Sequence, residues 1–250
     1  MERSLQGERA VVKSGFIAVA GRPNVGKSTL VNALCGGKVA IVSDKPQTTR
    51  RRSFGIANGE DYQLVLVDVP GFQRPLDPMT EHMQRTVSNS FEDADAVMFV
   101  LSSQERIGAG DRFIAHAVFA LGVPVVIVLN KVDQQRPGHI AAQMKTASEL
   151  GNFHALHPVS AKTGDGIPEL LGELLGLLPE GIAYFPRDAI TDMPLEVRLA
   201  ELVREKALAL TRDEVPHSLS VEVEEITERV IRARIMVETE SQKQILVGRA

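Results

Sequence analysis

Short apolar runs alternate with amphipathic stretches from residue 16 to about residue 178. Phe16 to Ala20, Tyr62 to Asp68, Ala96 to Ser102, Val123 to Asn130 and Phe153 to Ser160 read as strands. Most are apolar at nearly every position, as strands covered on both faces must be. Gly26 to Cys35 reads as a helix opening, and further helices are expected over about 79–92, 109–121, 138–150 and 166–178. This alternation predicts an α/β fold, a mostly parallel sheet with helices on both faces. Right-handed crossovers then gather the loops at the carboxyl ends of the strands, the edge where such sheets bind ligands.

The pattern changes after Leu178. Pro179, Gly181, Pro186 and Pro194 punctuate a stretch that reads as a linker. A helix is expected over Leu195 to Leu210, with Leu199, Leu202, Val203 and Ala207 on one face. Ser218 to Ile226 and Val230 to Thr239 alternate in period two, as a half-exposed antiparallel pair should. Residues 241–250 begin a further element.

Four motifs and a threonine-bearing loop carry chemistry. Gly21-Arg22-Pro23-Asn24-Val25-Gly26-Lys27-Ser28 matches G-x-x-x-x-G-K-[ST] between a predicted strand and a predicted helix. The glycines let backbone N–H groups curl around phosphate oxygens, and the helix N-terminus adds partial positive charge. Lys27 reaches the terminal phosphates, and the Ser28 hydroxyl suits Mg²⁺. Asn130-Lys131-Val132-Asp133 ends another strand. Asp133 can accept from both N1–H and the 2-amino group of guanine, donors that adenine lacks. Asn130 can tie this loop to the phosphate loop, and the Lys131 stem can cover the base. In Ser160-Ala161-Lys162, a backbone N–H can meet the guanine O6. Asp68-Val69-Pro70-Gly71 ends the strand at Tyr62 to Asp68. Asp68 can hold a Mg²⁺ water, and the Gly71 N–H can face a γ-phosphate. Thr48 or Thr49, with Thr49 favoured, can complete the Mg²⁺ coordination while γ-phosphate is present, making that loop a switch.

These residues, with the stretch Leu178 to Ile226, resemble the Era family of bacterial GTPases over about residues 14–250. The resemblance implies a P-loop, Ras-like GTPase domain at 14–180, a linker at 181–194 and a KH-type α+β domain (type II) from 195. It implies GTP and GDP contacts at Gly21 to Thr29, Asp68 to Phe72, Asn130 to Asp133 and Ser160 to Lys162. Lys27, Thr49, Gly71 and Asn24 become the catalytic candidates, and Ser28, Thr49 and Asp68 the Mg²⁺ ligands. Asn24 matches an asparagine with which related GTPases hold K⁺ near the phosphates, a charge that would stand in for an arginine finger. The family binds the small ribosomal subunit near the 3′ end of its rRNA, assists assembly, and associates with the inner face of the cell membrane. A monomer is expected.

Three features depart from the family or the superfamily. Val69 stands where the family usually has Thr, which should leave nucleotide binding intact. Phe72 stands where many Ras-like enzymes orient water with glutamine, so slow intrinsic hydrolysis is expected. The sequence stops at Gly248-Arg249-Ala250, where the G-x-x-G loop that clamps RNA would finish, so the KH domain is expected to be incomplete. The alternative is a GTPase that regulates a protein or membrane partner without RNA. A non-hydrolysing nucleotide module is a third reading.

Composition narrows the rest. The chain has 250 residues, 44% hydrophobic and 24% charged, with formal net charge -4, so it does not coat nucleic acid by bulk charge. Residues 183–250 hold 10 Lys and Arg against 13 Asp and Glu. One cysteine excludes a disulfide framework, and Cys35 reads as a buried inert thiol. His154 and His157 flank a strand with no partner carboxylate at ligand spacing, and Glu92, Asp93 and Asp95 read as solvated. Arg50 to Arg52 could touch RNA or phosphates. No apolar run approaches the ~18–20 residues of a membrane-spanning helix, and residues 1–13 hold no secretory core, so a cytoplasmic protein is expected.

Overall fold

A computed structural model of the chain describes residues 11–43, 52–69, 93–211 and 218–247. The helix expected over 79–92 lies outside the described residues, as do Thr48, Thr49, Pro70, Gly71, Phe72 and Gly248.

The first unit is built on a seven-stranded sheet. Its elements are β1 (Val12–Ala20), α1 (Lys27–Leu34), β2 (Ser53–Asn58), β3 (Tyr62–Asp68), β4 (Ala96–Ser102), α2 (Ala109–Phe119), β5 (Val125–Asn130), α3 (Pro137–Ser148), β6 (Ala155–Pro158), α4 (Ile167–Gly176) and β7 (Glu180–Gly181). The strand order is β2-β3-β1-β4-β5-β6, with β7 antiparallel to the start of β1. β3, β1, β4, β5 and β6 run parallel, while β2 runs antiparallel to β3. All seven side chains of β4 are buried, and so are all six of β5, because helices cover both faces. One core layer joins Leu30, Leu64 and Leu170; the other joins Phe99, Ile114 and Ile127. Strand order reverses at β1, so the loop leaving its carboxyl end opens at a topological switch point.

β2 is absent from the sequence reading. Its segment, Ser-Phe-Gly-Ile-Ala-Asn, has neither a clean alternation nor a long apolar run. Gly55 sits there because a Cβ would lie 2.6 Å from Val31 Cγ1 and 2.9 Å from Cys35 Sγ, so the end of α1 packs directly on the strand.

The stretch read as a linker is pinned along β2 and β3. Buried Gln63 accepts from the Tyr184 and Phe185 N–H groups at 2.7 and 2.9 Å, and donates to the Phe185 carbonyl at 2.9 Å. Asn58 donates to the Ala189 carbonyl, the Ile56 N–H to that of Ile190, and the Phe54 N–H to Asp192. Phe16, Phe54, Tyr184 and Phe185 form edge-on and tilted ring contacts over the same seam.

The second unit comprises α5 (Leu195–Leu210), the antiparallel pair β8 (Ser220–Ile226) and β9 (Ile231–Met236), and α6 (Glu240–Val247). The expected face of α5 is corrected. Leu202 is 39% exposed, and the buried residues are Ala200, Arg204, Glu205, Ala207 and Leu208. Both buried charges are paired. Arg204 binds Glu201, while Glu205 binds Lys38 and accepts the Val42 N–H at 3.0 Å. Ile41 packs with Ala207, Leu208 and Leu219, so α5 seats against the segment that follows α1.

Candidate functional site

β1 ends at Ala20 and α1 starts at Lys27, with the phosphate-binding motif between them. Backbone geometry dictates its glycines. Gly21 has φ 149, and a Cβ there would lie 2.5 Å from the Val100 carbonyl oxygen. Gly26 has φ 98, and its Cβ would meet Asn130 Nδ2 at 2.3 Å. Asn24 is also left-handed at φ 63, a conformation that asparagine tolerates better than most residues. Val25 is fully buried beneath the loop, while Pro23 and Thr29 are half-buried at its two ends. The Lys27 ammonium turns back over the loop and donates to the carbonyls of Gly21 and Arg22 at 3.1 and 2.9 Å. Burial brings its pKa down to about 8, against the pull of Asp68. A phosphate would replace those carbonyl partners and restore a counter-charge.

Two bonds tie the base-reading side to this loop, and two more brace it internally. Asn130 Nδ2 donates to the Val25 carbonyl at 3.0 Å, and its Oδ1 accepts from the Lys131 and Ala161 N–H groups. Lys131, left-handed at φ 67, reaches across to the Asn24 carbonyl at 2.7 Å. Val132 and Asp133 lie in a short 3₁₀ turn. Asp133 is exposed, and the Ser160 hydroxyl donates to its Oδ1 at 2.7 Å. The N–H of Ala161 is committed to Asn130 and Lys162 is exposed, so the tripeptide acts first as a brace. The bond from Ser160 to Asp133 and the whole role of Ser103 escape the motif reading. Ser103, fully buried, donates its hydroxyl to the Lys131 carbonyl at 2.9 Å and its N–H to that of Asn130. No local sequence signal marks that role.

On the metal side, the Ser28 hydroxyl donates to Asp68 Oδ2 at 3.1 Å, joining the start of α1 to the end of β3. Both groups are hard oxygen donors, the set that Mg²⁺ takes alongside water and phosphate. The pair therefore fits a magnesium ion, which would neutralise charge on the phosphates when bound. Val69 is buried in the core layer with Val67 and Phe99, so its apolar side chain suits its surroundings.

Several expectations change. Glu173 of α4 reaches both histidines: its carboxylate oxygens lie 2.9 Å from His154 Nε2 and 3.4 Å from His157 Nε2. Among the described residues, no group of three His, Cys, Asp or Glu is arranged to hold a metal. Asp95 accepts the Phe16 N–H at 2.7 Å and so anchors β1. Cys35 is half-buried, with its thiol pushed up to about 12 by burial. The Arg52 guanidinium lies 4.6 Å over the Phe54 ring; Arg50 and Arg51 lie outside the described residues.

The family model described as "50S ribosome-binding GTPase" matches residues 16–131. The chain is 42% identical over 247 residues to the GTPase Era of Lactobacillus delbrueckii subsp. bulgaricus, covering 97% of this chain and 82% of that protein. It is 41% identical over 242 residues to the GTPase Era of Clostridium botulinum, covering 95% and 82%. Among solved structures, Era in complex with MgGDPNP and nucleotides 1506–1542 of 16S ribosomal RNA aligns at TM-score 0.90 and 37% identity, covering 95% of this chain and 83% of that one. An Aquifex aeolicus Era variant bound to GDP·AlF4⁻ aligns at TM-score 0.89 and 37% identity, with the same coverages.

Proposed function

Because the chain belongs to the Era family of GTPases, and so hydrolyses GTP, we propose that it works as a GTP-driven switch on small-subunit ribosomal RNA during subunit assembly. The observation that carries this reading is the relative crystallised with MgGDPNP and a 16S rRNA segment, whose fold covers 95% of this chain. The second unit, with α5, β8, β9 and α6, is read as the RNA-facing part of KH type. Its net charge is negative by sequence, so recognition rests on base and backbone geometry rather than on bulk attraction. The salt dependence of binding should therefore be shallow.

The test is a titration of labelled RNA from the 3′ end of small-subunit rRNA with protein held in a non-hydrolysable GTP form, at two salt concentrations. Sequence-selective binding supports the reading. Absence of RNA binding by protein that still holds the nucleotide overturns it and favours a protein or membrane partner. The cation reading of Asn24 is tested separately. Hydrolysis should run faster in potassium than in sodium buffer, and equal rates would remove it.

A further inference from the structure

The side chain of Arg22, inside the phosphate loop, points away from the loop toward α2. Its Nε donates to Asp111 Oδ1 at 2.8 Å, and its Nη2 donates to Glu105 Oε2 at 2.7 Å. The two partners differ. Glu105 is half exposed, whereas the Asp111 side chain is 2% exposed. The other Asp111 oxygen accepts the Gly108 N–H at 2.9 Å, closing the first turn of α2. The residue before Asp111 is Gly110, and a Cβ there would lie 2.9 Å from Arg22 Cδ, so the helix leaves room for this arginine. The Arg22 carbonyl is in turn one of the two oxygens that receive the Lys27 ammonium. One path therefore runs from a buried carboxylate, through the Arg22 guanidinium and backbone, to the lysine that meets the phosphates.

We propose that Asp111 is a positioning residue for nucleotide binding: through Arg22 it holds the phosphate loop, and with it Lys27, in the shape that receives the β- and γ-phosphates. An exposed ion pair contributes little, because water screens it. Removing one partner of a buried charged pair is costly, because the other loses its counter-charge. Asp111, not Glu105, is thus the member whose charge fixes the loop. Ground state and transition state use the same loop, so loosening it weakens both alike. The loss should fall on KM and leave kcat nearly unchanged.

The proposal rests on residues 21–28 being the nucleotide's phosphate site, which GDP binding by wild-type protein and its loss in Lys27→Ala report independently. The test measures GDP dissociation constants and steady-state GTPase kinetics for Asp111→Asn, Arg22→Gln, the double variant and Glu105→Gln. Asparagine keeps an oxygen for the Gly108 N–H, so helix capping survives. Arg22→Gln cuts the same pair from its more exposed side, and because it leaves the buried Asp111 carboxylate without its cation, the urea midpoint of each variant is measured alongside. Each of Asp111→Asn and Arg22→Gln should raise Kd for GDP and KM for GTP about tenfold, as one broken charged pair does. The double variant should be no worse than either single one, because the path is already cut. Glu105→Gln should change both constants less than about threefold. Unchanged GDP affinity in the single variants overturns the proposal. So do additive losses in the double variant, a Glu105→Gln loss equal to that of Asp111→Asn, or a fall confined to kcat.

Discussion

Lys27 makes nucleotide binding depend on pH. Burial lowers its pKa to about 8 in the nucleotide-free protein. Above that pH the amine is neutral, so a bound triphosphate must draw a proton onto it. GTP affinity should fall as pH rises past about 8, and titration calorimetry in two buffers of different ionisation enthalpy should show proton uptake. Folding stability runs the opposite way. The unfolded chain keeps the proton up to its ordinary value of 10.5, so without nucleotide Lys27 adds stability as pH rises from about 8 to 10.5. Lys27→Met should flatten that rise in urea midpoints and abolish tight GTP binding. Asp133→Asn should shift preference from guanine to xanthine nucleotide by about 10³-fold or more, read as a ratio of dissociation constants. Persisting guanine preference would remove Asp133 from base reading. These positions were legible in the sequence because each lies in a contiguous motif whose spacing the nucleotide imposes. Ser160 on Asp133, Ser103 on Lys131 and Asp111 on Arg22 were not, because each partner arrives from a distant segment and any small polar residue looks alike in sequence.

Strands buried on both faces announce themselves by continuous apolar runs, and β3 and β4 match their expected bounds. β2 carries no such signal, because its glycine answers to α1 rather than to its own strand. The same hairpin converts a proline-punctuated stretch into a strap. Gln63 is the pin, holding two backbone N–H groups and one carbonyl of residues 184 and 185. Gln63→Leu leaves those part-buried groups without their protein partner, so it should cost about 1–3 kcal/mol in urea unfolding, with GTP affinity of the folded protein little changed. A loss below about 0.5 kcal/mol would show that water or rearrangement replaces the pin. On α5, periodicity pointed to a leucine-rich face, whereas the structure buries Arg204 and Glu205. A helix that docks on a neighbour through ion pairs misleads a reading based on apolar period alone.

Glu205 joins the two units across the molecule. Burial by itself would raise its carboxyl pKa, but the bonds from Lys38 and the Val42 N–H outweigh it and hold the pKa below the usual carboxylate value. A depressed folded value means that its stabilisation is present above the ordinary glutamate range and lost as pH falls through the folded value. Glu205→Gln should therefore lower the urea midpoint at neutral pH, and the gap from wild type should close in acid. A gap that is constant with pH would mean that the charge of Glu205 is immaterial. No composition or period foretold this contact, since a lone glutamate on a helix reads as solvated. The pairing of β7 with the start of β1 has another consequence. Val12 faces Gly181 and Lys13 faces Glu180, so the chain leaves the GTPase unit beside the point where it came in. The unit is a cassette whose two ends can be fused by a short bridge. A permuted gene could open it at an exposed turn elsewhere and keep the nucleotide site whole, and the cassette could be spliced into a surface loop of a host protein as a GTP-responsive insert.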